Sequence, residues 1–115
     1  MMDNKYNAFQ MRLQQLLEEN LSNENFGIQD LCKTIGISRM QLHRKIKAFG
    51  NVSTSIFIRN YRLEKAKSLI RESDNNISQV AHKVGFKDAA YFCRCFKKYY
   101  NVPPRRYKSM LRKLT

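Results

Sequence analysis

An internal repeat is the feature of this sequence that most constrains its fold. Residues 28–37 align with residues 77–86 so that apolar, small and glycine positions coincide. The matched small and glycine positions are Cys32 with Ala81 and Gly36 with Gly85. In a helix-turn-helix the two helices approach closely, which requires a small side chain at the contact and a residue that takes positive φ at the turn. Each copy is therefore predicted to be a helix, a glycine turn and a second helix.

After the turn the two copies match again, but one residue out of step. The matched pairs are Leu42 with Phe92, Arg44 with Arg94, Ile46 with Phe96, Lys47 with Lys97, Asn51 with Asn101 and Val52 with Val102. The second copy is therefore predicted to carry one extra residue in or just after its turn. A single motif of this kind often arises by chance, whereas two in register within 115 residues are a specific signal.

Hydrophobic spacing predicts an all-α fold of seven helices. The apolar stripe of the first helix consists of Phe9, Leu13, Leu16, Leu17 and Leu21. The predicted helices span residues 7–21, 28–35, 38–49 and 55–72, then a fifth from Asn76, a sixth from Asp88 to about Tyr100, and a last one that begins at Pro103 and Pro104. Only 4 Gly and 2 Pro interrupt the chain, which favours helices throughout.

Capping residues indicate where several helices begin and end. The candidate N-terminal caps are Ser38 with Gln41, Asn76 with Gln79, and Asp88. Asn51 stands where a helix C-terminus favours a left-handed residue. The helix over 55–72 would be about 27 Å long at roughly 1.5 Å per residue. We therefore expect an N-terminal helix-turn-helix subdomain at 1–53, a linker helix at 54–72 and a C-terminal subdomain at 73–115.

Positive charge is concentrated in the repeat. The chain holds 22 Lys and Arg against 9 Asp and Glu, a formal net charge of +13. Twenty of the basic and five of the acidic side chains fall within residues 28–115. A basic surface this dense favours a polyanion, because each phosphate that is contacted releases condensed counterions. Solubility alone is the alternative explanation of the charge.

The remaining composition points away from metals, enzymes and membranes. Cys32 is interpreted as a small core residue, and Cys93 and Cys95 point in different directions from one predicted helix, so neither a disulfide framework nor a metal site is expected. No set of nucleophile, base and oxyanion donors is discernible, so we expect no enzymatic activity, cofactor or small-molecule site. No apolar run approaches the roughly 20 residues that cross a bilayer, and the first residues lack a signal-peptide segment. We therefore expect a cytoplasmic protein.

The second helix of each motif is the candidate surface for base contacts. In a helix-turn-helix this recognition helix enters the major groove with its N-terminal part toward base edges. Removing the residues expected to be buried leaves Arg39, Met40, His43, Arg44 and Lys47 in the first copy, and Ala89, Ala90, Tyr91, Arg94 and Lys97 in the second. Arg44 and Arg94 can pair with guanine O6 and N7. Alternatively, either one clamps a phosphate or bridges to a carboxylate such as Glu64.

The other candidates offer different contacts. Met40, Ala89 and Ala90 can offer only apolar contact, for example to a thymine methyl. His43 can donate to a base or phosphate or be a solvated surface residue, and Tyr91 can stack on the backbone or cover the turn. The candidate phosphate contacts are Lys47, Lys97, Arg59, Arg62, Arg105 and Arg106. For the four arginines a solvated face is the default interpretation.

Several motifs together resemble a known family. They are GIS at 36–38, LHRKIK at 42–47, IRNYRLEKA at 58–66, VGF at 84–86, YFCRCFKK at 91–98 and VPP at 102–104. Over about residues 26–108 the chain closely resembles the AraC/XylS family of bacterial transcription regulators, including the output domains of hybrid sensor regulators. The resemblance implies two helix-turn-helix subdomains joined by a long helix. In that family they place two recognition helices in successive major grooves, roughly 34 Å apart, on one face of the DNA.

The chain departs from the family pattern at a few positions. Asn51 and Asn101 stand where members usually have Gly, and Cys32 stands where Ala is common. The second recognition helix is poorer in polar groups than in many relatives, which favours readout of DNA shape there. The favoured hypothesis is sequence-specific binding of double-stranded DNA and regulation of transcription, with RNA polymerase as an expected partner. The alternatives are a basic adaptor for acidic protein surfaces such as RNA polymerase, and binding to DNA or a membrane surface through charge alone.

Overall fold

The computed structural model describes the backbone of residues 4–113 and the side chains of residues 8–113, and this part of the chain forms seven helices and no strand. The helices are α1 (Asn4–Glu19), α2 (Ile28–Ile35), α3 (Arg39–Gly50), α4 (Thr54–Glu72), α5 (Ile77–Lys83), α6 (Ala89–Tyr100) and α7 (Pro104–Lys113). The predicted all-α fold class is confirmed. No helix in these residues is long and apolar enough to cross a bilayer.

The end of α1 was predicted two residues too late. The helix ends at Glu19 because the Asn20 side chain donates a hydrogen bond to the Leu16 carbonyl oxygen at 2.9 Å. The Leu21 amide then donates to the Glu18 carbonyl oxygen at 3.3 Å, three positions earlier. A side chain that bonds the local backbone competes with the helical pattern. The polar connection before α2 therefore begins at Asn20.

The predicted N-terminal caps are confirmed. Ser38 and Gln41 exchange hydrogen bonds of 3.1 and 2.9 Å, in which each side chain accepts from the other residue's amide. Asn76 and Gln79 form the same reciprocal pair at 2.8 and 2.9 Å. The Asp88 carboxylate accepts from the Ala90 amide at 2.9 Å. These bonds satisfy amides that the first turn of a helix leaves without a partner.

The two turns close in the same way. Gly36 and Gly85 have φ of 82° and 88°, a left-handed conformation in which glycine is not strained. The next residue in each turn donates its amide to the carbonyl of the small residue, from Ile37 to Cys32 at 3.1 Å and from Phe86 to Ala81 at 2.9 Å. Both small residues are buried, as predicted.

The extra residue of the second copy lies between its glycine and its second helix. Helix α3 begins three positions after Gly36, and α6 begins four positions after Gly85. Asn51 and Asn101 then end these helices with φ of 54° and 63°. The predicted left-handed cap at Asn51 is therefore confirmed, and Asn101 has the same conformation.

The contacts divide the chain into two compact units. The N-terminal unit contains residues up to Leu21 and Asn25–Tyr61, and the C-terminal unit contains Ser22–Glu24 and the residues from Arg62 onward. The division falls inside α4. The assignment of 54–72 as a separate linker stays a prediction.

The core of the N-terminal unit is mainly aliphatic. Its buried residues are Leu13, Leu16, Leu17, Leu31, Cys32, Leu42, Ile46 and Ile58. Phe49 packs between Phe9 and Phe57, with ring centroids 6.3 and 5.6 Å away. The Tyr61 hydroxyl donates to the Glu18 carboxylate at 2.9 Å and links α4 to α1. This packing buries the inner side of α3 and leaves its other side exposed.

The core of the C-terminal unit is rich in aromatic rings. Phe92 packs between Phe86 and Phe96, with centroids 5.1 and 5.8 Å away. Phe96 in turn contacts Tyr100 and Tyr107 at 4.7 and 6.0 Å. These contacts fix α6 against α7 and the turn.

A tyrosine on the outer end of α6 is bound to α4. The Tyr99 hydroxyl donates to the Glu64 carboxylate at 2.7 Å. This bond, together with burial and the charge of Glu64, raises the pKa of Tyr99 to about 12. The candidate bridge partner Glu64 therefore already accepts a hydrogen bond within the C-terminal unit.

Arg62 corrects one prediction. Its side chain was expected on the solvated side of α4 as a candidate phosphate contact, yet only 7% of it is exposed. Its guanidinium donates to the Val84 carbonyl at 3.1 Å and to the Asn23 carbonyl at 3.3 Å. Burial lowers the pKa of Arg62. A carbonyl in a buried turn needs a donor, and Arg62 supplies one at the end of α5.

Candidate nucleic-acid interface

The first recognition helix, α3, presents a polar side that is fully exposed. Leu42 and Ile46 are completely buried and fix the rotation of the helix. Its exposed residues include Arg39, Met40, His43, Arg44 and Lys47. All five predicted candidates of this helix are therefore accessible.

Arg44 lies along the exposed surface of α3 toward its N-terminal end. Its Nη2 atom donates to the Met40 sulfur, one turn earlier, at 3.3 Å. Met40 is itself 66% exposed. A thioether is a weak acceptor, so a base or phosphate can replace this contact at little cost. The pair joins a guanidinium to an apolar group at the end of the helix that would face the bases.

The second recognition helix, α6, presents a less polar side. Phe92 and Phe96 are completely buried. Ala90, Tyr91, Arg94 and Lys97 are exposed, and Ala89 is half-buried. The Arg94 guanidinium lies 5.7 Å from the centre of the Tyr91 ring, within the range of a cation–π contact. Arg94 therefore also rests on a neighbour of its own helix.

Tyr91 covers the turn, which is one of the two roles considered for it. Its ring packs on Phe86 of the turn, with centroids 6.0 Å apart. It still leaves 44% of its surface exposed. The residue thus covers the turn with one part of the ring and supports Arg94 with another.

The candidate phosphate contacts differ in accessibility. Lys47, Lys97 and Arg105 are exposed, as is Arg106, whereas Arg59 is half-buried on α4. Arg62 is unavailable because its donors bind two carbonyls of the C-terminal unit. Lys47 and Lys97 each lie one residue after a buried core position, Ile46 and Phe96.

Two further basic residues were not predicted as candidates. Lys108 and Arg112 line a pocket on α7 together with Arg105. The spacing i, i+3 and i+7 of these three residues, which places side chains on one side of a helix, is the sequence signal that could have found them.

Cys93, which is half-buried on α6, does not have the lowered pKa of a reactive cysteine. Burial raises the pKa of Cys93, the charge of Arg105 opposes that shift, and Asp88 adds to it. A raised pKa disfavours the thiolate at neutral pH. Among residues 8–113, no group of three or more His, Cys, Asp or Glu side chains is placed to hold a metal ion.

The geometry defines a class of protein: a small all-helical protein with two helix-turn-helix motifs, each of which exposes one side of its second helix. A sequence profile described as a helix-turn-helix domain matches residues 31–110. The chain belongs to the AraC/XylS family of DNA-binding transcription regulators. Domains of this family bind double-stranded DNA, and the family is not one of enzymes.

Sequence relatives are longer regulatory proteins. Histidine kinase P4 of Formosa agariphila is 38% identical over 94 residues, which cover 82% of this chain and 7% of that protein. The raffinose operon transcriptional regulatory protein RafR of Pediococcus pentosaceus is 34% identical over 95 residues, 83% of this chain and 34% of that protein. The chain thus spans about a third or less of the length of these two relatives.

Solved structures show the same fold. The C-terminal domain of AraT, a response regulator from Geobacillus stearothermophilus, matches with a TM-score of 0.78 and 26% identity, over 87% of this chain and 83% of that one. The C-terminal domain of the two-component response regulator yesN from Fusobacterium nucleatum matches with a TM-score of 0.77 and 29% identity, over 89% and 98%. The resemblance inferred from sequence motifs is confirmed.

Proposed function

We propose that this chain binds a specific site in duplex DNA through α3 and α6, and that this binding regulates transcription. The observation that carries the proposal is shared by both motifs. Each recognition helix is held by two fully buried residues and exposes an arginine at the equivalent position, Arg44 or Arg94. An exposed guanidinium in the N-terminal half of a recognition helix suits bidentate contact with guanine.

The contacts proposed for α3 are mainly polar. Arg44 reads a guanine through O6 and N7, and Met40 beside it contacts a thymine methyl. Arg39 and His43 contact neighbouring base edges. Lys47, one turn further from the N-terminal end, binds a phosphate and fixes the position of the helix in the groove.

The contacts proposed for α6 are less polar. Arg94 contacts a guanine, while Ala90 and Tyr91 offer apolar surface to the groove. Lys97, with Arg105 and Arg59 elsewhere in the chain, binds phosphates. Because few groups on α6 can hydrogen-bond bases, part of its preference comes from the shape of the groove.

The two recognition helices occupy successive major grooves, which lie about 34 Å apart along the duplex. Basic surface that does not face the DNA is available for acidic partners, and RNA polymerase is the proposed one. A relative in Salmonella arizonae, RhaS, is named a transcriptional activator. For the present chain, activation is part of the proposal.

The test compares a proposed base contact with a proposed phosphate contact. A duplex is first selected from random DNA with the unaltered chain, and binding is then measured by gel shift with random competitor over a range of salt. Arg44→Ala should lose about 1–3 kcal/mol on the selected site and relax the preference at one base step, whereas Lys47→Ala should weaken all duplexes alike and lower the salt slope by about 1.

Arg12→Ala, which removes an exposed charge from α1, is the matched control and should leave base preference unchanged. If Arg44→Ala and Lys47→Ala behave alike on every probe, the assigned roles are wrong. If the unaltered chain shows no preference over random competitor at any salt, charge alone explains binding.

A further inference from the structure

A basic pocket lies in the C-terminal unit between the beginning of α5 and one side of α7. Its volume is about 370 Å³. One wall consists of Asn76, Ile77 and Ser78, and the other of Arg105, Lys108, Ser109 and Arg112. The side chains that line it include three cations and two hydroxyl groups, and no carboxylate among the described residues.

The three cations share one side of α7. Arg105, Lys108 and Arg112 are three and four positions apart, so they project from successive turns. Like charges at this spacing repel one another. The Lys108 ammonium donates to the Asn75 carbonyl at 2.7 Å, which holds one of the charges beside the pocket. A bound anion would offset the repulsion.

A second cavity distinguishes this pocket from the rest of the basic surface. It has a volume of about 170 Å³ and shares Lys108 and Arg112 with the first. Its lining includes the carboxylate of Asp74, which disfavours an anion. The larger pocket, without an acidic side chain, is therefore the better anion site of the two.

The pocket adjoins the part of the motif that would meet the DNA backbone. In a helix-turn-helix the first helix crosses the backbone while the second lies in the groove. Here α5 is the first helix, and the pocket lies at its beginning. Arg105 also lies near enough to α6 for its charge to oppose the rise in the pKa of Cys93. The pocket thus borders the first helix of the second motif.

We propose that this pocket binds one backbone phosphate of duplex DNA beside the major groove that α6 enters. Arg105 and Arg112 supply the charge, and Ser78 and Ser109 supply hydroxyl donors. The proposal rests on the proposed function. It adds a specific phosphate site on the second motif, whose recognition helix is the poorer in polar groups.

The test removes both charges and measures the salt dependence of binding. The double variant Arg105→Gln/Arg112→Gln is compared with Arg12→Gln/Arg71→Gln, which removes two exposed charges from α1 and α4. The probes are a duplex selected from random DNA and a random duplex. The pocket variant should reduce the slope of log K against log salt by about 0.9, the value for one phosphate contact, with an equal loss on both duplexes. The control pair should change the slope by less than half as much.

A neutral backbone identifies the phosphate directly. Methylphosphonate groups are introduced one at a time into the selected duplex, each removing one phosphate charge. At one phosphate that flanks the α6 contacts, this replacement should weaken binding by the unaltered chain. The pocket variant should bind the modified and the unmodified duplex equally well at that position. Both altered residues lie on the surface, and equal thermal unfolding of all variants establishes that folding is intact.

Three results overturn the pocket proposal. The first is an unchanged salt slope, and the second is an equal change of slope in the pocket and control variants. The third is that the affinity lost through the double substitution and the affinity lost through a methylphosphonate add up at every position of the duplex. Unchanged DNA binding with lost transcription activation also overturns it, and would assign the pocket to an acidic protein surface. The proposed function fails by a different result, the absence of any preference of the unaltered chain for its selected duplex.

Discussion

Helices α3 and α6 are each twelve residues long and bury an apolar pair at the same spacing, yet their exposed sides differ in chemistry. On α3 the exposed candidates carry two guanidiniums, an imidazole and an ammonium. On α6 the early positions are two alanines and a tyrosine, and Arg94 is the first cation. The same motif therefore supports two different surfaces.

The inner sides differ as well. The N-terminal unit buries Leu42 and Ile46 among other aliphatic residues, whereas the C-terminal unit buries Phe92 and Phe96 in a row of aromatic rings. The glycine turns are nevertheless alike in φ and in the hydrogen bond made by the residue after each glycine. The turn geometry depends on small residues and glycine, so the core on one side of the second helix and the exposed surface on the other can vary separately.

The largest expected effect concerns the two cores. Phe92→Ala should lower the free energy of unfolding by about 4 kcal/mol, and Leu42→Ala by about 3 kcal/mol, because the phenyl ring leaves the larger cavity and also loses its aromatic contacts. Chemical denaturation measures both values. If Phe92→Ala does not fold, Phe92→Leu replaces it and should still cost about 1–2 kcal/mol. A greater cost for Leu42→Ala would contradict the contrast between the cores.

A smaller effect is expected at two neighbouring residues of α4. Arg62→Met should destabilise the chain by about 2 kcal/mol, because it leaves the Val84 carbonyl without its buried donor. Tyr61→Phe should cost about 0.5–1 kcal/mol, because the bond to Glu18 lies at the surface. Denaturation curves measure the free energy of unfolding of each variant. The cost of Arg62→Lys should fall between the costs of Arg62→Met and Tyr61→Phe. Equal costs for the two substitutions would mean that burial of Arg62 does not matter.

Arg62 also shows what the sequence could not predict. Its acceptor at Val84 is 22 positions away and its acceptor at Asn23 is 39 positions away. The choice between a solvated and a buried arginine depends on carbonyls whose positions only the tertiary fold determines. The periodicity of α4 alone therefore predicted a solvated position for Arg62, whereas the side chain is buried.

Local signals were sufficient for the three N-terminal caps and the two glycine turns. The Ser38 and Asn76 caps depend on residues three positions away, and positive φ at Gly36 depends on the glycine itself. For the candidate site, removing residues expected to be buried found the exposed sides of α3 and α6. It did not find Lys108 and Arg112, because their pocket requires α7 to pack beside the beginning of α5.

The next prediction tests the contrast between the recognition helices on DNA. Replacing thymines by uracils in the half of the selected site that contacts α6 should weaken binding by about 0.8 kcal/mol per contacted methyl, the value for one buried carbon. In the half that contacts α3, replacing guanines by an analogue without N7 should weaken binding more than replacing thymines there, because Arg44 uses that acceptor. Competition gel shifts measure both. If the two halves respond alike to both replacements, the difference in exposed chemistry does not reach the bases.

The smallest effect should be equal in the two units. Asn51 and Asn101 end α3 and α6 with nearly the same positive φ. Glycine is the residue that adopts this left-handed conformation without strain. Asn51→Gly and Asn101→Gly should each stabilise the chain by about 0.5 kcal/mol. Asparagine lowers the energetic cost of the left-handed conformation but does not remove it, and glycine would remove the remainder. Asn51→Ala and Asn101→Ala are the matched controls and should destabilise it by about 1 kcal/mol. Thermal unfolding of the four variants gives the signs. If glycine helps in one unit only, the two caps are not equivalent, and the extra residue before α6 changes more than the length of its turn.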